Sequence, residues 1–377
     1  MSQINHTEVA IVGAGIVGLA HALAAVKRGY KVTVFERNLA AVGASIRNFG
    51  MVWPIGQPTG KLRDRAIRSR EIWIEIAEKA ELYHDPSGSL LLAYRQDELD
   101  VLEEFMAFNK NNSEIALLNA DEVAKKSNAA VTESLLGALW SRTEMTVDPR
   151  EAIQKLPTFL ANNYPIKFQF GKTVNAISYP NLQVGNESWT ADRIFVCSGA
   201  DIETLYPDVY AESNITKVKL QMMRTKPQPE KWRLGPSLCA GLTLTHYGSF
   251  NNCQSLDALK RRVEIETPHF LEWGIHVMAS QNGLGELILG DSHEYGLNPE
   301  PFDRAEINDY VLDYLQKFAK FPSIAIAETW HGVYAKLPGK TEFIAEPEPN
   351  VILVNALSGA GMTLSFGLAE ENISAFI

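Results

Sequence analysis

Cysteine is scarce in this sequence: Cys197, Cys239 and Cys253 are the only three among 377 residues. No two of them have the short spacing that marks a metal site or a redox-active pair. Isolated thiols of this kind are typical of proteins from a reducing compartment. We therefore expect three reduced cysteines, no bound metal and a cytoplasmic location.

An excess of positive charge is also missing. The formal net charge is −10 at pH 7, and the isoelectric point calculated from the sequence is about 5.4. A protein that binds a polyanion normally carries a basic surface, because most of the affinity comes from contacts to phosphates. The composition therefore argues against a nucleic-acid partner.

Long hydrophobic runs are absent as well. The most apolar early stretch, residues 9–26, is interrupted by Gly13, Gly15 and Gly18 and has no basic region before it, unlike a signal peptide. No other segment approaches the ~20 apolar residues that a membrane-spanning helix needs. We expect a soluble protein without a membrane span or an export signal.

What the chain does contain is enough apolar material for two lobes, with 46% hydrophobic residues over 377 positions. The first 36 residues predict a strand at 8–14, a helix at 15–28 and a second strand at 31–36. Apolar residues alternate or cluster in the two strands and recur at helical spacing between them. Strand, helix and strand within ~30 residues indicate a parallel βαβ unit.

Gly13, Gly15 and Gly18 form a G-x-G-x-x-G motif between the first predicted strand and helix. The first glycine permits a tight turn, the second lets the backbone approach a pyrophosphate, and the third lets the helix pack on the strand. The phosphates would lie at the positive N-terminal end of the helix. Glu36 ends the next strand, where its carboxylate would accept the hydroxyls of an adenosine ribose. This context predicts a dinucleotide site.

The remaining pattern distinguishes FAD from NAD. A nicotinamide-binding domain normally continues its βαβ repeats through a compact first half. Here the repeats stop after two strands and resume near residues 193 and 351, with other predicted elements at 59–80, 167–170 and 173–178. A single flavin nucleotide held by three separated segments explains this layout better.

The middle of the chain has a different character. Predicted strands at 218–225, 242–247, 273–279 and 286–290 follow one another with few helices, which favours an antiparallel sheet. The fold class is therefore α/β (α+β overall), a Rossmann-type FAD-binding domain with a second, mainly antiparallel β-sheet substrate domain. We assign residues 1–80, 148–212 and 325–377 to the discontinuous first domain and residues 81–147 and 213–324 to the second.

The chain resembles the FAD-dependent oxidoreductases of the D-amino acid oxidase, glycine oxidase and sarcosine oxidase superfamily. The resemblance runs in order through residues 10–18, 34–36, 44–50, 194–200 and 358–363. It implies that the backbone of Val174 contacts the adenine, that the 45–51 loop flanks the isoalloxazine and that the 359–363 turn approaches its N1/O2 edge. The implied FAD-binding residues are Gly13, Gly15, Ile16, Val17, Gly18, Glu36, Arg37, Ser45, Arg47, Asn48, Phe49, Gly50, Val174, Ser198, Gly199, Gly359, Ala360, Gly361, Met362 and Thr363.

Further stretches resemble a subgroup linked to aminophosphonate breakdown: residues 47–54, 242–247, 273–278, 290–295 and 330–334. This resemblance implies a substrate near 2-aminoethylphosphonate or its N-methyl or hydroxyl derivative. Tyr334 stands where carboxylate-binding relatives place an arginine, and Lys336, two residues on along the same strand, is the nearest candidate for a replacement charge.

The C-terminal third has no cysteine, so the FAD is expected to be bound non-covalently. Ile288 stands where sarcosine oxidases carry an oxygen-activating lysine, so O2 or another electron acceptor remains open.

Candidate catalytic residues lie in the substrate lobe. His246 and Tyr247 end a predicted strand, so one side chain of the pair would line the pocket. Histidine can accept an ammonium proton near neutral pH, and tyrosine can donate a hydrogen bond to an anionic headgroup. The candidate set is His246, Tyr247, Gln221, His331, Tyr334 and Lys336, with His293 considered beside them; each is also compatible with an ordinary structural role.

Two other functions remain open from the sequence. A flavin hydroxylase that uses NADPH would also carry a Gly-Asp pair such as Gly290-Asp291, although this pair lies far from the terminal glycine turn. A non-enzymatic flavin-binding sensor or assembly protein would use the same cofactor cradle without a substrate. The preferred interpretation is oxidation of a C–N bond to an imine that water hydrolyses, with FAD as hydride acceptor.

Overall fold

The computed structural model describes residues 5–376 and contains two large sheets and a small third one. In the described range the strands are β1 (Asn5–Val12), β2 (Val32–Glu36), β3 (Met51–Val52), β4 (His84–Asp85), β5 (Ser89–Ala93), β6 (Ile115–Leu118), β7 (Gly137–Ser141), β8 (Met145–Val147), β9 (Ile166–Phe170), β10 (Val174–Ser178), β11 (Asn181–Val184), β12 (Glu187–Val196), β13 (Thr216–Thr225), β14 (Ser237–Ala240), β15 (Met278–Gln281), β16 (Leu287–Gly290), β17 (Glu294–Tyr295), β18 (Ile326–Lys336), β19 (Phe343–Glu348) and β20 (Val351–Asn355).

Over the same residues the α-helices are α1 (Ile16–Lys27), α2 (Lys61–Lys79), α3 (Gln96–Phe108), α4 (Ala120–Lys126), α5 (Pro149–Asn163), α6 (Pro207–Ala211), α7 (Leu242–His246), α8 (Leu256–Glu266), α9 (Pro268–Glu272), α10 (Ala305–Phe318) and α11 (Gly361–Phe376). Single 3₁₀ turns occur at Ala44–Ile46, Pro54–Gly56 and Gly248–Phe250. No helix in this range is both long and apolar enough to cross a bilayer.

The first sheet confirms the predicted βαβ unit. β1 and β2 run parallel on either side of the α1 crossover, and β12, β9 and β20 extend the parallel sheet. β2 is buried along its whole length, as expected for a parallel strand covered on both faces. β1, β12 and β20 carry the segments that the sequence placed around one cofactor, so their carboxyl ends lie side by side.

The helices of this lobe begin where local chemistry predicts. Asp148 is the N-cap of α5, its carboxylate accepting hydrogen bonds from the N–H groups of Arg150 and Glu151, and Pro149 occupies the first helical position. α1 has Gly15 at its N-cap, so the cap residue has no side chain to accept from the first turn, although the Ser45 hydroxyl accepts the Ile16 N–H. The remaining N–H groups of this turn suit another acceptor, such as a phosphate.

The second sheet confirms the predicted, mainly antiparallel arrangement. Its order is β17-β13-β16-β15-β14-β5-β7-β6, with β18 paired to β13. β18 pairs with β13 from Lys336 back to Ile326, so residues 326–336 belong to the second sheet. This long strand leads directly from the substrate lobe into the cofactor lobe.

One predicted strand is wrong. Residues 242–247 form the short helix α7 followed by Tyr247, and the Thr245 hydroxyl donates to the carbonyl of Leu242. The alternating leucines and threonines of this stretch fit a strand as well as one buried helical turn, and a run this short is ambiguous. The 273–279 prediction is also too long, because the strand begins only at Met278 after a left-handed Gly274 with φ of 54°.

The arginine-rich face of α2 differs from a solvated surface. Arg63 and Arg65 are 9% and 5% exposed, respectively. Arg63 donates to the carbonyls of Ile55 and Gln57, and Arg65 forms ion pairs with Glu371 and Glu342. Both guanidinium groups therefore point inward, Arg63 toward the 55–57 turn and Arg65 toward α11.

Candidate cofactor and substrate site

The glycine motif forms a tight cradle between β1 and α1. Gly13 has a left-handed φ of 101°, which most side chains disfavour. A Cβ added to Gly15 would lie 3.0 Å from the Ser45 hydroxyl oxygen, and that oxygen accepts the Ile16 N–H at 2.9 Å. Val17 and Gly18 complete the first turn of α1. The cradle is lined by backbone N–H groups, the chemistry that a pyrophosphate requires.

Glu36 occupies the position expected of a ribose ligand. Its side chain is 8% exposed, and one carboxylate oxygen accepts the Ala14 N–H at 3.0 Å while the other accepts the Asn38 N–H at 3.0 Å. These bonds hold the carboxylate at the edge of the glycine cradle. Arg37 points elsewhere and forms an ion pair with Asp201 at 2.7 Å, which ties the end of β2 to the loop after β12.

The segment after β12 and the start of β10 lie around the same edge. Ser198 follows β12, donates its hydroxyl to the carbonyl of Asp201 at 2.6 Å and precedes the left-handed Gly199 with φ of 65°. The Lys172 N–H donates to the carbonyl of Glu36 at 3.0 Å, which brings Val174 close to the end of β2. The carboxyl ends of parallel strands are the usual binding edge of such a sheet.

The 44–50 loop is held by its own side chains. The Asn48 amide donates to the carbonyls of Ala44 and Ser45 and accepts the Gly50 N–H at 2.8 Å. Phe49 accepts the hydroxyl of Ser280 through its carbonyl at 2.8 Å. Arg47 donates to the carbonyl of His331 at 3.1 Å. The loop is therefore fixed between the glycine cradle and the second sheet.

The terminal turn approaches from the opposite end of the chain. Ala356, Ser358 and Gly359 have positive φ angles of 53°, 51° and 78°, a cost that non-glycine residues bear mainly at functional sites. The Trp53 N–H donates to the Thr363 hydroxyl at 2.9 Å. The carbonyl of Met362 accepts the Trp73 indole N–H at 2.8 Å. The turn is thus anchored to two tryptophans.

Three distant segments therefore meet. A Cβ at Gly361 would lie 3.6 Å from Ile16, so the start of α11, with Ala360 before it, adjoins the first glycine cradle. A Cβ at Gly359 would lie 3.1 Å from the hydroxyl of Tyr334, so the same turn faces β18. The glycine cradle at the start of α1, the buried acid at the end of β2 and the start of α11 beside the cradle fit an FAD molecule, whose pyrophosphate and reduced ring both attract N–H groups.

The β13–β18 ladder separates the predicted catalytic residues. Val218 lies opposite Tyr334, and Gln221 opposite His331, in the antiparallel register. Because side chains alternate along a strand, Tyr334 and Lys336 share one face of the sheet, while Gln221 and His331 share the other. The amide of Gln221 exchanges two hydrogen bonds with the backbone of Arg304, at 2.8 and 2.9 Å, at the start of α10. His331 binds Asp303 at 2.8 Å.

A histidine cluster occupies the face beside Tyr334. The rings of His246 and His276 stack in parallel, with centroids 4.2 Å apart and planes 5° apart, and the ring of His293 lies 4.6 Å from His246. His276 Nδ1 lies 3.2 Å from an oxygen of Asp291, whose side chain is also buried. His293 Nδ1 lies 3.0 Å from the carbonyl of Gly274. We call these residues, with Asp291, the histidine cluster.

Aromatic side chains surround the cluster. Tyr247 meets the edge of the His276 ring at 5.5 Å, and the ring of Trp53 lies 6.2 Å from that of Tyr247. The Tyr247 hydroxyl donates to the sulfur of Met278 at 3.5 Å. Lys336 donates to the hydroxyl of Tyr295 at 3.1 Å at the rim. The arrangement is an aromatic wall with polar edges, as small-molecule sites commonly have.

The protonation states suit one base, His246, and two hydrogen-bond donors, Tyr247 and Tyr334. Burial, helped by His276, His293 and Lys336, lowers the pKa of His246 well below its usual value, so the ring is neutral at pH 7. The residue nevertheless keeps exposed surface, so small solutes can reach it. Burial also raises the pKa of Tyr247 and of Tyr334 well above the ordinary range. Both hydroxyls therefore keep their protons and can donate.

Sequence reasoning missed His276 and Asp291. Histidines at 246, 276 and 293 lie in different elements, so spacing carries no signal of their meeting. No cluster of His, Cys, Asp or Glu within residues 5–376 has the geometry of a metal site.

A small cavity beside the 44–50 loop is lined by Phe49, Ile288 and Trp330 among others, so Ile288 faces this loop.

Comparison with known proteins agrees with the geometry. A family model described as FAD dependent oxidoreductase (DAO) matches residues 8–373. Over 221 residues the chain is 27% identical to the tRNA 5-methylaminomethyl-2-thiouridine biosynthesis bifunctional protein MnmC of Vibrio campbellii, a match that covers 54% of this chain but only 32% of that protein.

Solved structures share the whole architecture. L-proline dehydrogenase from P. horikoshii superposes with a TM-score of 0.79 at 20% identity, covering 99% of this chain and 94% of that one. Glycine oxidase from Geobacillus kaustophilus gives a TM-score of 0.76 at 17% identity, covering 98% and 95%. At these identities the similarity concerns the fold.

Proposed function

The chain belongs to the DAO family of FAD-dependent oxidoreductases, and from that premise we propose that it oxidises the carbon–nitrogen bond of a small amine or amino acid, with aminophosphonates as its preferred substrates. The substrate would lie between the terminal glycine turn and the histidine cluster. The product would be an imine, which water hydrolyses to a carbonyl compound and an amine or ammonia.

One observation carries this proposal: the Tyr334 hydroxyl lies against Gly359 at the terminal turn, on the sheet face that also carries Lys336. The predicted cofactor turn and a polar side chain of the second sheet are therefore in contact, so a small molecule bound beside them would touch both. A substrate carbon placed there would be next to the flavin ring, and its charged groups would meet His246 and Lys336. Orientation of this kind supplies much of a catalytic rate.

The protein itself binds and orients the substrate and removes a proton from its ammonium group. Bound FAD supplies the oxidant, since it accepts the hydrogen and the electron pair that leave the substrate carbon. An ammonium group cannot be oxidised until it loses a proton, because its nitrogen has no free electron pair. Neutral His246 is the group placed to accept that proton. Trp53 and Tyr247 would exclude water from the reacting face.

The preference for a phosphonate is supported by what the site offers an anion. Tyr334 replaces the arginine expected of carboxylate-binding relatives, so no planar fork is available at that position. Lys336 and the hydroxyls of Tyr334, Tyr247 and Tyr295 are donors spread over a curved surface. Three tetrahedral oxygens match such a set better than a flat carboxylate does. The resemblance of residues 242–247 and 290–295 to an aminophosphonate-linked subgroup points the same way.

Anaerobic titration of the yellow holoenzyme tests the proposal. Flavin absorbance should bleach with 2-aminoethylphosphonate or its N-methyl derivative, at lower concentration than with glycine or sarcosine. Rapid bleaching by NADPH alone would instead favour a flavin hydroxylase. No bleaching by any amine would favour a flavin-binding protein without this activity. Equal responses to glycine and 2-aminoethylphosphonate would refute the phosphonate preference while leaving amine oxidation in place.

A further inference from the structure

We propose that His246 bridges the two charged ends of the substrate, donating from one ring nitrogen to the acidic headgroup while the other ring nitrogen takes the proton of the ammonium group. This inference rests on the proposed amine oxidation and adds a coupling to it: binding of the anion and deprotonation of the amine become one event. The proton balance is internal, since the ammonium becomes a neutral amine and the neutral imidazole becomes an imidazolium.

The geometry restricts how His246 can meet a ligand. One face of its ring is covered by His276 at 4.2 Å, and His293 lies 4.6 Å away. The stacked face is therefore closed to a substrate, which leaves approach to Nδ1 and Nε2 along the part of the ring edge that His293 does not cover. In the neutral ring one nitrogen is a donor and the other an acceptor, which matches a molecule that has an anion at one end and an ammonium at the other.

His276 serves as a platform for the cation that forms. Its Nδ1 is oriented by Asp291 at 3.2 Å, and its Nε2 is buried without a hydrogen-bond partner within the described residues. The His276 ring presents its π face to the ring that would carry the positive charge, which is favourable. Asp291 holds its negative charge on the far side of His276, and an anion bound in front of His246 would act directly on the imidazolium and stabilise it.

The surrounding charges explain why His246 takes up a proton only when the substrate is bound. The titratable or charged groups that face it from the packed elements are His276, His293, Asp291, Lys336, Tyr247 and Tyr334. Asp291 and Lys336 cancel in formal charge. Loss of hydration lowers the pKa of His246, and the neighbouring His276, His293 and Lys336 lower it further, so a proton on this ring carries a penalty. A bound dianion removes that penalty.

Sulfate is a suitable probe because it remains a dianion throughout the accessible pH range and carries no amine. Calorimetric titration of the holoenzyme with sulfate, in two buffers of different ionisation enthalpy, should show uptake of about one proton per site near pH 8. The sulfate Kd should rise about tenfold per pH unit above neutrality for the same reason. Absence of sulfate binding, or binding without proton uptake, would overturn the inference.

The variant His246→Asn gives a second, kinetic readout. Asparagine can still donate to the headgroup but cannot take a proton, so the variant should bind sulfate without proton uptake. Its rate of anaerobic bleaching by 2-aminoethylphosphonate should climb about tenfold per pH unit from pH 7 to 9, following the free amine. The wild-type rate should be nearly flat over that range. A flat profile in the variant would also overturn the inference.

His6→Asn is the matched control, because His6 on β1 lies 3.8 Å from Asp192 in an exposed pair, away from the cluster. This variant should match the wild-type protein in every measurement.

Amine oxidation and the coupling at His246 can be refuted independently of each other. Bleaching by amines together with sulfate binding that takes up no proton would refute the coupling and keep amine oxidation. Proton uptake with sulfate but no bleaching by any amine would refute amine oxidation.

Discussion

Acid should destabilise this protein through one buried histidine in the cofactor lobe. His21 lies in α1 with no exposed surface. Its Nδ1 contacts the carbonyl of Val17 at 2.7 Å, and its Nε2 contacts the side-chain amide of Asn372 in α11 at 3.0 Å. The two bonds fit a neutral ring that donates from Nδ1 and accepts at Nε2, so a second proton would set the ring against the amide N–H.

Burial lowers the pKa of His21 from 6.5 to about 4. Below pH 6.5 the unfolded chain therefore takes up a proton that the folded chain refuses, so stability falls as the pH falls and the loss is complete below pH 4. Applying linkage to these two values, this residue alone should remove about 2 kcal/mol of unfolding free energy between pH 8 and pH 5, and about 3 kcal/mol in full.

Urea unfolding of wild-type protein and His21→Gln at pH 8 and pH 5 measures this effect. The glutamine variant loses packing at both pH values, but its stability should fall by about 2 kcal/mol less than that of the wild type on acidification. His6→Asn, at an exposed position, should follow the wild type. Parallel losses in wild type and His21→Gln would refute the assignment of a neutral buried ring.

Three further outcomes follow from the fold. Gly15→Ala suits the backbone φ of −67° but places a Cβ against the Ser45 hydroxyl, so FAD affinity measured by flavin fluorescence should fall at least about tenfold; unchanged flavin content would contradict the cradle. Asp148→Ala removes two N-cap bonds and should lower unfolding free energy by about 1 kcal/mol in urea. Arg65→Met, at a side chain 3% exposed, should cost about 2 to 3 kcal/mol because it strands two glutamates. Arg68→Met, 48% exposed, should cost under about 1 kcal/mol, and similar losses for both would contradict the burial argument.

The cofactor half of the site was predictable because its signals are local. The turn at Gly13, the helix start after Gly15 and the acid at Glu36 all fall within 30 residues, and each residue type is required by backbone geometry or charge. The start of α5 at Asp148 was predictable for the same reason, since a cap and a proline act on their own helix.

The substrate half was less predictable because it depends on packing. His246 and Tyr247 were predicted as candidates on a strand, but this stretch is the short helix α7 followed by Tyr247, and the neighbouring His276 and Asp291 come from other elements. Gln221 and His331 lie on the face of the sheet opposite Tyr334, which the sequence could not show before the register of β13 and β18 was known. The burial of Arg65 also depends on a distant partner, Glu371.

The pairing of α1 with α11 has a consequence for how the protein is made. Ile16 contacts Gly361, and His21 contacts Asn372. Helix α1 can therefore complete its packing only after more than three hundred further residues have left the ribosome. Until then the apolar side of α1 lacks its partner, and such long-range contacts form slowly. The contact surface between α1 and α11 can therefore close only after α11 has left the ribosome.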